Sequence, residues 1–309
     1  MLSERTAATA AVTAAKSSQP AMPRTTRIET SDGVFLAADV FESDQAPPPT
    51  AVIVLNGATG VRRGFYARFA AHAAERNLAV VTYDYRGMGG SLHTGITRFQ
   101  GRMLDWGERD FPAVIRWCQN TFPSVPVFAI GHSVGGQLFG LAPESGELQG
   151  LVGIGAQSGF WKLWPTRARM WLYWHLLVPG FTRAFGHLPG WLGTGASLPK
   201  GVALEWARWC RAREFFVDTD GSPLKTYFAE ISAPVLWVEI EDDPYAPAAA
   251  VAWLAGQFTN APLERRRFSG AHFGTGPIGH FKLFTPAYSQ AWEQILQWIE
   301  HRSAVLEAG

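Results

Sequence analysis

Short uninterrupted apolar runs alternate with longer stretches of mixed polarity along most of this chain. Apolar runs bounded by turn residues predict buried strands, and apolar positions recurring at helical spacing predict amphipathic helices. Strands are therefore expected at about 34–41, 51–55, 79–83, 126–130, 149–154, 234–240 and 263–268, and helices at about 65–76, 103–121, 134–141, 247–258 and 286–301. Strands alternating with helices imply an α/β architecture, a mostly parallel central sheet covered on both faces. The alternation breaks once, over 157–229, which reads as an inserted helical cap between core segments 25–156 and 230–309. Residues 1–24, dominated by alanine, threonine and serine, read as a mobile N-terminal tail.

The cap carries what information there is about a substrate. It holds Trp161, Trp164, Trp171, Trp174, Trp191, Trp206 and Trp209, more than half of the 13 tryptophans in the chain. Met170–Val178 is apolar nearly all round and ends at Pro179-Gly180. That run is too short to span a bilayer, so a buried cap helix is expected, with weak interfacial contact as the alternative. Either favours a small-molecule substrate with an apolar portion over a highly charged one.

Composition narrows the partners. A hydrophobic content of 47% over 309 residues sustains one large core, and a net charge of +1 gives no electrostatic case for nucleic acid. Arg265-Arg266-Arg267 falls on a late strand and reads as a solvated edge. The only two cysteines, Cys118 and Cys210, lie far apart and suggest no disulfide framework. With no apolar signal core in residues 1–24, a reducing, cytoplasmic location is expected. Neither a His-Glu-x-x-His pattern nor a zinc-spaced cysteine pair is present, so neither a metal nor a cofactor is expected.

The candidate chemistry starts at Gly131-His132-Ser133-Val134-Gly135, where an apolar strand runs into a predicted helix. This is the nucleophile-elbow pattern G-x-S-x-G, which places a serine on a sharp strand-to-helix turn. Ser133 is the candidate nucleophile, and the Val134 N–H is a candidate oxyanion donor. A serine between glycines also makes an ordinary turn, so partners must decide. The elbow requires a later carboxylate and then a histidine. Asp242 and Asp243 follow the strand at 234–240, and His272 and His280 compete downstream. His132, at the variable position of the elbow, has no evident chemical duty. A second oxyanion donor is expected in Asn56-Gly57-Ala58-Thr59-Gly60, from the residue after the glycine, Ala58, with Thr59 as the alternative.

Together with Asp84-Tyr85-Arg86-Gly87, Asp243-Pro244-Tyr245-Ala246-Pro247 and Ile278-Gly279-His280-Phe281, these motifs resemble the α/β-hydrolase superfamily from about Arg27 to about His301. Ser158-Gly159-Phe160-Trp161 and the last two motifs resemble, more narrowly, a bacterial group of predicted serine hydrolases related to serine aminopeptidase and monoglyceride lipase-like proteins. The resemblance implies an α/β-hydrolase fold and favours Asp243 over Asp242 and His280 over His272. It assigns Asp84 and Arg86 to pinning a loop beside the site. Asn56 stands where relatives carry histidine, and Glu239-Ile240 where they carry His-Gly. The expected function is cleavage of a carboxylic ester through an acyl-enzyme on Ser133, with peptidase or amidase action less favoured. Acyl transfer, C–C hydrolysis or non-catalytic ligand binding on the same fold are the alternatives.

Overall fold

The five residues Ala51–Leu55 are apolar on both pleat faces, as a strand sandwiched between helix layers must be. In the computed structural model, which describes residues 22–43 and 48–308, they form the strand β3 (Ala51–Asn56), fully buried near the middle of an eight-stranded sheet. Its companions are β1 (Arg24–Glu29), β2 (Phe35–Phe41), β4 (Leu78–Tyr83), β5 (Val127–His132), β6 (Gly150–Ile154), β7 (Val235–Ile240) and β8 (Leu263–Phe268). Their spatial order is β1-β2-β4-β3-β5-β6-β7-β8. The first two strands pair antiparallel, as do β2 and β4, and every other pair is parallel. The expected mostly parallel sheet is present, and it is an α/β-hydrolase fold.

Alternate residues of the strands feed two cores. Val52 and Val54 face one layer with Val114, Leu138 and Trp237, whereas Ile53 and Leu55 face the other with Phe69, Trp292 and Ile295. The second layer is supplied by α1 (Ala67–Ala74) and by the long C-terminal helix Ser289–Ala308, and the first by α2 (Phe111–Thr121). Parallel pairing brings Asn56 level with Gly131 and His132 level with Ile154, so β3, β5 and β6 all end at one edge of the sheet. Loops leaving that edge are the natural place for a site.

Two expectations change. Arg24, assigned to the N-terminal tail, opens the edge strand β1, whose pattern Arg-Thr-Thr-Arg-Ile-Glu buries Ile28 alone and so carries no apolar signature. Met22 and Pro23 precede it, and residues 1–21 of the expected tail lie outside the described residues. The apolar run Met170–Val178 does not stop at Pro179. Helical segments Arg167–Leu172 and Val178–Phe185 are joined through a π-helical turn, Tyr173–Leu177, which accommodates a proline that lacks an N–H. Nor is this helix buried all round. Trp174 is buried, but Trp171, Leu172 and Leu176 are exposed.

Cys118 and Cys210 are buried and free. Arg265 and Arg266 lie on the edge strand β8, paired with Glu239 and Glu264. Among the described residues no helix is long and apolar enough to cross a membrane.

The loop after β4 is held by ions. Arg86, only 3% exposed, donates Nε to Asp110 at 2.6 Å and its terminal nitrogens to Asp32 at 2.7 and 2.9 Å. Asp84 accepts from the backbone and guanidinium of Arg63 and from Gly90 N–H. Replacing Arg86 strands the fully buried Asp110 carboxylate. Arg86→Met should therefore cost about 3–5 kcal/mol in a urea melt, partly recovered by adding Asp110→Asn. A loss under about 1 kcal/mol would show the pair to be dispensable.

Candidate active site

Ser133 leaves β5 with φ 55° and ψ −117°, a left-handed conformation unfavourable for any residue with a Cβ. The chain holds it there by close packing. A Cβ on Gly131 would lie 2.4 Å from Gly136 N, and one on Gly135 would lie 2.2 Å from the Asn56 carbonyl oxygen. Ser133 N–H donates to the Ile154 carbonyl at 2.9 Å, tying the turn to β6. Helix α3 (Val134–Gln137) then begins immediately, with Val134 buried.

Of the two candidate carboxylates and two candidate histidines, the fold brings together Asp243 and His280. Asp243 Oδ2 accepts from His280 Nδ1 at 2.6 Å, and its Oδ1 accepts from Tyr245 N–H at 2.7 Å. Both residues are buried, at 7% and 6% exposure. Because Nδ1 faces the carboxylate, Nε2 is left to exchange a proton with a nucleophile. Asp242 is exposed and accepts from Gly279 N–H through both oxygens at 3.1 Å, so it braces the histidine loop. His272 lies exposed on the 3₁₀ turn Gly270–Phe273.

Ser133, His280, Ala58 and Thr59 all line one cavity of about 360 Å³. Its far wall comes from the segment inserted between β6 and β7, chiefly Trp164, Met170, Tyr173, Trp174, Leu192 and Trp206. Arg169 is the cation on this lining, and neither Asp nor Glu lines it among the described residues. Glu239 and Glu241 line a neighbouring cavity instead.

The loop after β3 is fixed by three buried tyrosines. Tyr83 Oη donates to Asn56 Oδ1 at 2.6 Å, while Asn56 Nδ2 donates to the Gly135 carbonyl at 3.4 Å. Asn56 thus fastens the loop to the elbow helix. Tyr85 Oη donates to the Gly57 carbonyl at 2.9 Å. The Ala58 N–H, expected to face an oxyanion, donates to Tyr66 Oη at 2.8 Å. Tyr66 Oη in turn meets His132 Nδ1 at 2.9 Å, and His132 Nε2 meets the His280 carbonyl at 2.8 Å. Sequence reasoning missed Tyr66 and left His132 idle. Contacts spanning 66 and 148 residues leave no local pattern to read.

A model of the alpha/beta hydrolase family matches residues 52–280, which include every one of these groups. The fold and this site therefore define the class, and the chain belongs to the alpha/beta hydrolase family. No curated protein matches it significantly. Among solved structures, it is similar to a soluble variant of monoglyceride lipase from Saccharomyces cerevisiae bound to a substrate analogue, with TM-score 0.63, 12% identity, and 93% of this chain and 97% of that one covered. An esterase of Pyrococcus furiosus aligns with TM-score 0.58, 17% identity and 91% of each chain covered. An esterase from Exiguobacterium antarcticum aligns with TM-score 0.56, 14% identity, and 90% and 100% covered.

Full burial, then the neighbouring His280, holds the His132 imidazole well below its ordinary value of 6.5, so it is neutral in the folded protein. The unfolded chain takes up a proton there below about pH 6.5 and the folded chain does not, so this residue makes stability fall as pH falls. Urea melts from pH 7 down to pH 5 should show a His132→Gln variant losing stability less steeply than the wild type, the difference in slope growing to about 1.4 kcal/mol per pH unit near pH 5. Equal slopes would mean that His132 titrates normally in the fold.

Proposed function

We propose that this chain is a serine hydrolase that cleaves carboxylic esters with an apolar acyl or aromatic portion. The observation that carries the proposal is the 2.6 Å Asp243–His280 pair, whose histidine lines the same cavity as a serine held at φ 55°. His280 Nε2 takes the Ser133 hydroxyl proton as Oγ attacks the ester carbonyl, and Asp243 stabilises the imidazolium that forms. The Val134 N–H and the Ala58–Thr59 turn surround the oxygen on which charge develops. Collapse of the tetrahedral adduct passes the proton from His280 to the leaving alkoxide. Water activated by the same histidine then releases the acid and restores Ser133.

Residues 157–229 act as the cap of this site. Their tryptophans give the acyl or aromatic portion an apolar surface. The exposed Trp171, Leu172 and Leu176 support weak interfacial contact by the same segment. Two free buried thiols support a reducing compartment, the cytoplasm.

Ester cleavage is favoured over aminopeptidase action because, among the described residues, the lining offers a substrate ammonium no carboxylate, and it carries Arg169. Glu239, in the neighbouring cavity, is already paired with Arg265 at 2.5 Å. Activity against p-nitrophenyl butyrate should exceed that against an alanine p-nitrophenyl ester by about tenfold or more in kcat/KM, a difference of about 1.4 kcal/mol. Preference for the cationic ester would place an amine-recognising group in the site.

Turnover of p-nitrophenyl esters and fluorophosphonate labelling test the catalytic assignment. Ser133→Ala should abolish labelling, and Ser133→Ala and His280→Ala should each lower kcat by about 10⁴-fold or more. His272→Ala should stay within about threefold of the wild type, its exposed position off the lining of the Ser133 cavity giving it no transition-state contact to lose. A wild type that folds but neither labels nor turns over would favour a ligand-binding role on this fold.

A further inference from the structure

The chain of contacts from Ala58 to His280 has one consistent proton direction. The His280 carbonyl can only accept, so His132 Nε2 carries the proton and donates it at 2.8 Å. Burial keeps His132 neutral, leaving Nδ1 as an acceptor. Tyr66 must then donate its hydroxyl proton to Nδ1, and its oxygen lone pair accepts the Ala58 N–H. Every polar group in the series has a partner, and Tyr66 and His132 are exposed by only 1% and 0%. The two rings are further clasped by Phe284, whose centroid lies 4.8 Å from that of Tyr66 and 4.9 Å from that of His132.

This series joins three segments that must keep register. His132 immediately precedes the nucleophile, Ala58 lies on the loop after β3, and His280 sits beyond Gly279, at φ 58°, in a loop of irregular backbone. With Ala58 N–H committed to Tyr66, that loop needs another donor to face the oxyanion. Thr59 lines the same cavity as Ser133, and its Oγ1 is buried without a hydrogen-bond partner among the described residues. A buried hydroxyl left unpaired beside reacting groups is a donor in reserve.

We infer that Tyr66 and His132 form a fixed relay that sets the base loop against the oxyanion loop, commits the Ala58 N–H to Tyr66, and leaves Thr59 to donate to the oxyanion beside Val134. In this reading, which rests on the proposed serine hydrolase chemistry, Tyr66 and His132 are positioning residues and Thr59 is a catalytic one. The neutral state of His132 matters because its ring centroid lies 4.9 Å from that of His280, which becomes a cation when it takes the serine proton.

Steady-state kinetics on p-nitrophenyl butyrate and nitrogen-15 NMR of the histidine rings test the relay together. Thr59→Val should lower kcat by about 10²-fold with KM changed less than about threefold, and Thr59→Ser should restore most of it. Tyr66→Phe should lower kcat by about 10²-fold with its urea midpoint still measurable, and should move the His132 Nδ1 resonance. Wild-type His132 should show a proton on Nε2 and a bare Nδ1. A proton on Nδ1, or an imidazolium at pH 7, would overturn the relay whether or not the chain is active. Wild-type kcat in both Tyr66→Phe and Thr59→Val would return the oxyanion to Ala58 and overturn the inference while leaving the hydrolase intact. Loss of all turnover in the wild type itself would overturn the hydrolase reading, and the assignment of Thr59 with it.

Discussion

Backbone packing at the end of β5 is the constraint on which the rest of the site depends. The elbow helix approaches β3 so closely that any side chain at position 135 would collide with the Asn56 carbonyl, and any at position 131 with the backbone of Gly135 and Gly136. Only glycine fits, and the close approach forces Ser133 into a conformation that costs about 1–3 kcal/mol. That cost is offset by the parallel ladders on either side and by the Ser133 N–H bond to Ile154. The same approach delivers Asn56 Nδ2 to the Gly135 carbonyl, so the strained turn and the loop beside it hold each other in place.

What could be read from the sequence followed from how local each signal is. The strands of the sheet centre carry their signature in consecutive residues, because burial on both faces demands an apolar residue at every position. The elbow is equally legible, since its pattern is five consecutive residues, although only Gly131 answers to contacts within that span and Gly135 answers to Asn56. The edge strand Arg24–Glu29 escaped because it buries only Ile28 and satisfies its backbone on one side against β2. The helical run through Pro179 escaped because a π turn, invisible in composition, relieves the missing N–H. Exposure of Trp171, Leu172 and Leu176 depends on which side of that helix the cavity lies, and an all-apolar run does not specify a side.

Choosing among rival site residues was a tertiary question. Asp242 and Asp243 are adjacent in sequence, yet one faces Gly279 N–H and the other His280 Nδ1. His272 and His280 both sit after glycine-rich turns, but the side chain of His280 alone reaches Asp243. The resemblance to relatives favoured the pair that the fold unites. It had no counterpart for Tyr66, whose contacts with Ala58 and His132 exist only after α1 has packed on the sheet. Both resolve the same physical demand: each loop at the edge of the sheet must have its buried polar groups paired, and long-range side chains do the pairing.

The central claim is that Ser133 is acylated during turnover, and a rapidly quenched reaction with p-nitrophenyl acetate tests it most directly. The account predicts a burst of p-nitrophenol approaching one equivalent per chain, with intact-mass and peptide spectra placing an added acetyl group on Ser133. Turnover at the same rate with the acetyl group on another residue, or with no adduct at any quench time and incorporation of solvent oxygen in a single step, would contradict it.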